Sequence, residues 1–448
     1  MSKSIKLAIL GLGTVGTGVV NLINDNLAEL KRRSGRDIII TEVGTRRQRD
    51  DIDPSIVQND DLMAIAASDN VDIVIEVIGG TTLAKDIIMH AIKNGKHVVT
   101  ANKALLAEHG NEIFALAEAN HMHVAYEAAV AGGIPIIKVM REALAANKID
   151  WLAGIINGTG NFIMTEMRDK GRPFKDVLAE AQELGYAEAD PTFDVEGIDA
   201  AHKLALLASI AFGIPLQFDK VYCEGITGIT LQDVNYAEEL GYRIKHLGFA
   251  VRRSSEDGLQ GSAGIELRVH PTLIPQDALL ANVNGVKNAV LVNSHPLGQT
   301  LYCGDGAGAG ATASAVMADV MDLVRVLGPN DRSSHSEHSN HVPHLAFMPE
   351  ELSDTLVLRA EQMITGYYLR VHAYDNPGVL ADITRILSDA GINIDAILQK
   401  PAHKLGQVPV IILTLPVIES QMNLAIEKIE KLTAVADKVV RIRLDELA

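Results

Sequence analysis

From Gly185 to Lys203 the chain reads GYAEADPTFDVEGIDAAHK, which sets five carboxylates, Glu188, Asp190, Asp194, Glu196 and Asp199, ahead of one lysine, Lys203. Acids crowded around a single amine can hold a polar, amine-bearing substrate, and the amine can supply a proton. Gly185 suits the end of the helical run KDVLAEAQEL, and Pro191 keeps the next residues out of a helix. A new helix is expected to start within residues 195–199 and run to Gly213, which puts Asp199 and Lys203 four apart on one face. The competing reading is an acidic surface loop followed by an exposed ion pair worth only about 0.3–0.5 kcal/mol.

A second set of chemistry-bearing residues lies near the start. IKLAIL suits a buried parallel strand, and GLGTVG follows it directly, with Gly11, Gly13 and Gly16 at G-x-G-x-x-G spacing before the helical run TGVVNLINDNLAELKRR. In that setting Gly11 allows the tight turn, Gly13 lets the backbone approach a pyrophosphate, and Gly16 lets helix and strand pack closely. The alternative is a purely structural turn. After the second strand, DIIITEVGT, Arg46 and Arg47 stand where an acid would favour a free ribose hydroxyl. Arginine pairs with a 2′-phosphate, so NADP is favoured and NAD is the alternative.

These groups need elements to carry them. VDIVIEVIGG and KHVVTANK read as further parallel strands, the second ending in Thr100, Asn102 and Lys103. Open α/β sheets bind ligands at such strand ends, so Lys103 is placed for cofactor or substrate. HMHVAYEAAVAGGIPII adds a strand and a glycine-rich turn, with His121 and His123 read as edge or surface residues. The loop NGTGN, with Asn157, Gly158 and Thr159, is expected to open a helix. GIELRVHPTLI, LANVNGVKNAVLVNS and LGQTLYCG suggest an antiparallel sheet, and GDGAGAG with the helix after it a return to the first domain. His335, His338, His341 and His344 recur every third residue in a polar stretch around Pro343, read as a solvated linker rather than a metal site. The last residues read βαββαβ, the ferredoxin-like order.

The expected architecture is α/β. It comprises a Rossmann-type nucleotide-binding domain (1–137 plus 302–327), an α+β substrate and dimerisation domain (138–301), a linker (328–362) and a ferredoxin-like regulatory domain (363–448). The 448 residues are 47% hydrophobic and 22% charged, an ordinary composition for a soluble protein. The formal charge of -17 argues against non-specific nucleic-acid binding. No apolar run reaches the roughly 18 residues of a membrane span, and the N-terminus reads as a strand and turn rather than a signal peptide. Two cysteines, Cys223 and Cys303, argue against a disulfide framework or a cysteine-built zinc site. A cytoplasmic protein is expected.

GLGTVG, TANK, EAAVAGGIP, NGTGNF, GYAEADPTFDVEGIDAAHK and GAGAGATASAVMAD, in this order, resemble homoserine dehydrogenases, and the C-terminal DNPGVL and GINID resemble an ACT domain. One departure is Gly160, where the family pattern suggests a bulkier polar residue. The resemblance implies reversible NAD(P)H-dependent reduction of L-aspartate 4-semialdehyde to L-homoserine, a step toward threonine, methionine and isoleucine. It implies that Gly13, Thr14 and Val15 contact the dinucleotide, with Arg46 at the 2′-phosphate and Gly306 closing over it. Lys103 would touch both cofactor and substrate. Gly158, Thr159, Tyr186, Glu188, Asp194 and Asp199 would line the substrate site, and Lys203 would be the acid/base residue. The turn containing Glu127, Val130, Gly132 and Ile134 resembles the family's sodium site, and backbone oxygens suit such a hard cation. L-Threonine is the expected effector, at Asn376, Pro377, Gly378, Val379 and Leu380. A homodimer or homotetramer is expected.

Overall fold

The computed structural model describes residues 4–254, 263–327, 342–400 and 406–447. Six short strands form one parallel sheet: β1 (Ile5–Leu10), β2 (Ile38–Gly44), β3 (Val57–Asn59), β4 (Ile73–Glu76), β5 (His97–Thr100) and β6 (Val124–Ala125), in the order β3-β2-β1-β4-β5-β6. This is the doubly wound order, whose crevice opens where the winding reverses, between β1 and β4. The central strands are apolar because both faces are covered. Leu7, Ile9, Ile73, Val74 and Ile75 are fully buried, each contributing roughly 1.5–3 kcal/mol.

A second, ten-stranded sheet holds the rest: β7 (Lys148–Ile155), β8 (Tyr222–Cys223), β9 (Tyr242–Arg253), β10 (Gly264–Pro275), β11 (Lys287–His295), β12 (Gly298–Asp305), β13 (Ile364–Tyr374), β14 (Ile394–Gln399), β15 (Gln407–Ile418) and β16 (Val440–Leu444). Its order is β12-β11-β7-β9-β10-β16-β13-β15-β14, with β8 beside β10. The last four strands have the ferredoxin-like arrangement. They are not detached, because β16 runs parallel to β10, Thr272 pairing with Arg443 and Leu273 with Leu444. That pairing satisfies what would otherwise be two bare strand edges.

After β12 the helix Ala309–Val326 returns to the first sheet. It packs beside the helix Thr14–Ser34, close enough that a Cβ on Gly18 would lie 2.8 Å from the Ala309 carbonyl oxygen. Of the linker histidines, His335, His338 and His341 lie outside the described residues. His344 is not solvated as expected. It is 5% exposed, Nδ1 is 3.0 Å from Glu118, and Nε2 accepts the Val124 amide at 3.1 Å, so it seals the end of β6. His123 is also buried, stacked on His97 with ring centroids 5.1 Å apart. Among the described residues, no helix is long and apolar enough to cross a membrane.

Candidate active site

The glycines bound the acid-rich segment as expected, but Pro191 does not keep the next residues out of a helix: it caps the short helix Thr192–Val195, because a proline at a helix start gives up no hydrogen bond. The helix Phe174–Glu183 ends before Gly185, which takes a left-handed φ of 73°. The apolar helix Ile198–Phe212 begins after Gly197 and is closed by Gly213 at φ 63°. Asp199 and Lys203 share a face of that helix, but not at the surface: they are 6% and 9% exposed. Lys203 Nζ lies 2.6 Å from Asp199 Oδ2 and donates to the Ile156 carbonyl at 2.7 Å. From the start of the helix that follows β5, Lys103 Nζ reaches Asp199 Oδ1 at 3.1 Å. Two lysines therefore converge on the two oxygens of one carboxylate, at the seam between the sheets.

The turn after β7 completes the cluster. Asn157 caps the helix Gly158–Lys170, its Oδ1 accepting from the Gly160 amide at 2.7 Å. Its Nδ2 donates to Asp194 Oδ1 at 2.7 Å and to Asp199 Oδ2 at 2.9 Å. Thr159 Oγ1 donates to the Tyr186 carbonyl at 2.6 Å, and the Tyr186 ring meets Phe162 edge-on. Tyr186 is 44% exposed and Glu188 is exposed, so these two form the rim rather than the floor.

The electrostatics follow from burial and from those pairs. Burial pushes the Asp199 carboxyl up, but Lys203 and Lys103 outweigh it and hold the carboxyl well below its usual range. Burial pushes the Lys203 ammonium down, the Asp199 charge opposes this, and the net direction is downward. Asp194 is raised by burial, partly offset by its Asn157 hydrogen bond.

The fingerprint lies at the crevice of the parallel sheet. A Cβ on Gly16 would sit 1.9 Å from the Gly11 carbonyl oxygen, and Gly11 itself has φ 101° against Val77, so neither position admits a side chain. The Thr14–Ser34 helix has no side-chain cap and no acid in its first turn, which leaves its first amides, around Gly13, Thr14 and Val15, for an anion. These features fit a dinucleotide pyrophosphate. Gly306 lies across the crevice from the first domain's turn: a Cβ on Gly132 would be 2.4 Å from the Gly306 carbonyl oxygen. Arg46 is exposed beyond the end of β2. Thr100 turns its hydroxyl to Glu76, 2.6 Å away, and its Oγ1 accepts the Asn102 amide at 3.0 Å. Asn102 in turn caps the helix that begins at Lys103.

The turn containing Glu127, Val130, Gly132 and Ile134 is buried, with Ala131 and Gly132 both left-handed at φ 54° and 53°. The Glu127 carboxylate is taken up by the amides of Ile137 and Lys138 at 2.9 and 2.8 Å, so what the turn offers a cation is backbone oxygen. That donor set fits a hard monovalent ion. Among the described residues, no three His, Cys, Asp or Glu side chains group as metal ligands. Asn376, Pro377, Gly378, Val379 and Leu380 line a cavity of about 380 Å³ with Tyr374, Gln399 and Val408.

Three participants escaped the sequence reading. Glu76 stood inside an apolar strand, where only a lone buried acid signals it. Asp319, on the return helix, accepts the Glu127 amide at 2.8 Å. Arg49 donates to the Leu12 carbonyl at 2.9 Å and to Thr17 at 3.1 Å, bracing the fingerprint loop from a segment with no motif.

Three family models match the chain: "Homoserine dehydrogenase, NAD binding domain" over residues 11–127, "Homoserine dehydrogenase" over 135–321, and "ACT domain" over 367–434. A homoserine dehydrogenase of Pseudomonas aeruginosa is 57% identical over 447 residues, covering 99% of this chain and 100% of its own. The crystal structure of a homoserine dehydrogenase from Thiobacillus denitrificans is 54% identical, with a TM-score of 0.91 over 100% of this chain and 99% of that one. A hyperthermophilic archaeal homoserine dehydrogenase, solved in complex with NADPH, is 25% identical with a TM-score of 0.60 over 71% of this chain and 97% of its own.

Proposed function

The chain belongs to the homoserine dehydrogenase family, and from that premise we propose how its residues divide the reversible reduction of L-aspartate 4-semialdehyde to L-homoserine. The nicotinamide dinucleotide supplies the hydride. Gly11, Gly13, Thr14, Val15 and Gly16 hold its pyrophosphate, and Thr100 and Gly306 bound its pocket. Arg46 takes a 2′-phosphate, making NADP the preferred form; the NADPH complex of the archaeal relative supports this.

Reduction of the aldehyde builds negative charge on its oxygen, which a nearby ammonium stabilises and then protonates. Lys203 delivers that proton, held in place by the Ile156 carbonyl and Asp199. Lys103 bridges the dinucleotide and substrate sides. Glu188 and Asp194 face the substrate's α-ammonium group, and Gly158, Thr159 and Tyr186 shape the pocket. The observation that carries this reading is the meeting of Lys203 and Lys103 on the two oxygens of buried Asp199. Backbone oxygens of the turn at Glu127, Val130, Gly132 and Ile134 would hold a monovalent cation, sodium by family likeness, and so fix that turn against Gly306.

The C-terminal unit senses L-threonine in the cavity lined by residues 376–380. Two exposed free cysteines suit a reducing, cytoplasmic setting. The working form is a homodimer or homotetramer, assembled as the domain division given above implies. The deciding experiment is NADPH consumption with aspartate semialdehyde, in wild type and Lys203→Ala. Near wild-type kcat in a folded Lys203→Ala variant rules the acid/base assignment out.

A further inference from the structure

His246, on β9, is 7% exposed and lies between the starts of two helices. A Cβ on Gly160 would sit 3.4 Å from its Nδ1, and a Cβ on Gly197 would sit 3.2 Å from its Cε1 and Nε2. Gly160 is in the first turn of the helix capped by Asn157, and Gly197 precedes the helix that carries Asp199 and Lys203. The ring is thus the spacer between the two helix starts that Asn157 ties together through Asp194 and Asp199.

The ring's hydrogen bonding fixes its form. Nε2 lies 3.1 Å from the Glu224 carbonyl oxygen, and a carbonyl only accepts, so Nε2 carries the proton. Burial brings the ring pKa down to about 4, so it is neutral near pH 7. Nδ1 is then an acceptor, 3.4 Å from where a Cβ on Gly160 would sit and with no hydrogen-bond partner among the described residues.

Glu224 connects the ring to the C-terminal unit. Its carboxylate takes Arg443 Nη1 from β16 at 2.6 Å and the Tyr222 hydroxyl at 2.8 Å. Two residues on, the Ile226 amide donates to the Val195 carbonyl at 2.9 Å, inside the acid-rich segment. Residues 222–226 are therefore gripped by β16 on one side and by the substrate segment on the other, with His246 pinning their backbone.

We propose that His246 is a positioning residue: it sets the spacing of the two helix starts and relays the position of residues 222–226 to the Asn157–Asp199 network, so that it governs binding of the semialdehyde and not of the dinucleotide. This rests on the site reading above.

The test is steady-state kinetics on the full-length enzyme. His246→Leu removes the Nε2 donor at similar volume, and His246→Gln restores an N–H toward Glu224. His246→Leu is expected to raise KM for aspartate semialdehyde about tenfold with KM for NADPH within about twofold, and His246→Gln to return the semialdehyde KM to within about threefold of wild type. A folded His246→Leu enzyme with unchanged semialdehyde KM, an equal rise in both KM values, or no recovery with glutamine overturns the proposal. Should His246→Leu not fold, Gly160→Ala and Gly160→Ser decide. Both add a Cβ against the ring, but only serine can donate to Nδ1, so serine should bind the semialdehyde severalfold better than alanine, and equal KM values overturn the proposal. Lys203→Ala measured alongside separates the two claims. If it retains turnover, the site reading and this inference both fall; if it is inactive while His246→Leu is silent, only this inference falls.

Discussion

Lys203 Nζ sits 2.6 Å from Asp199 Oδ2, both side chains buried, and burial rather than the carboxylate decides the amine's direction of shift. The sequence places the two on one helix face but leaves that contest open. The outcome brings the lysine toward the range in which a general acid works. Removing the Asp199 charge leaves burial unopposed and lowers the Lys203 pKa further. Asp199→Asn should therefore shift the alkaline limb of aldehyde reduction to lower pH, measured as kcat against pH. Lys203→Ala should lower kcat by about 10²–10⁴-fold, the span of a lost general acid. An alkaline limb unmoved in Asp199→Asn assigns that limb to another group.

The proposed 2′-phosphate contact turns on which arginine is free to reach the ribose. Arg49 is engaged with Leu12, Thr17 and Asp51, whereas Arg46 and its neighbour Arg47 are exposed beyond the end of β2. Arg46→Ala should raise KM for NADPH about tenfold, as expected for a lost charged hydrogen bond of about 1.5 kcal/mol, and leave KM for NADH within about twofold. Equal losses with both dinucleotides would mean that Arg46 shapes the loop instead of reading the phosphate.

The legible parts of this molecule were those written in local punctuation. GLGTVG after an apolar strand yields a strand, turn and helix with Gly11 and Gly16 in contact. Gly185 ends the helix before the acid-rich segment and Gly213 closes the one that carries Asp199 and Lys203, whereas Pro191 opens a short helix that the sequence did not suggest. What stayed hidden was depth and long-range partnership. His344 looked like one of four solvated histidines, yet it is buried against Val124 and Glu118, partners more than 200 residues away in sequence. The C-terminal repeat of strands looked free-standing, because no pattern marks the two-residue pairing of β16 with β10. Glu188 and Asp199 looked equivalent as acids, and only the fold separates an exposed rim from a buried floor.

The C-terminal unit is locked to the substrate side by a buried ion pair. Arg370 of β13 reaches Asp233 through Nε at 2.7 Å and Nη2 at 3.0 Å, and the Tyr368 hydroxyl donates to the same carboxylate at 3.0 Å. Asp233 is fully buried and also caps its own helix through Thr230. Arg370→Met strands that carboxylate and should cost about 3–5 kcal/mol in urea unfolding. Adding Asp233→Asn should recover part of the loss, because no uncompensated charge then remains. A single variant within about 1 kcal/mol of wild type would show that the pair is dispensable.

Buried histidines should set part of this protein's response to acid. His202, His246 and His270 are 2%, 7% and 0% exposed. Burial lowers all three, His202 and His246 to about 4 and His270 well below its ordinary value. Each is neutral in the folded state and takes a proton in the unfolded chain once pH falls below about 6.5. At these sites the unfolded state then binds more protons, so the stability they contribute is fully present above that pH and is lost as pH falls from 6.5 toward the folded values, while Glu127 and Asp319, raised by burial to about 7 and about 8, act in the opposite sense. His202 and His246 each contribute up to about 3 kcal/mol to that loss, because each pH unit between the unfolded and folded pKa is worth about 1.4 kcal/mol. His202 lies between Phe193 and Phe218, with ring centroids 5.3 and 4.1 Å away, so His202→Phe is well suited to its pocket. Urea unfolding at pH 6.5, 5.75 and 5.0 should show the stability of His202→Phe gaining on wild type as pH falls, by about 1.4 kcal/mol per pH unit at the low end. Parallel slopes for the two proteins would mean that His202 takes up its proton in the folded state.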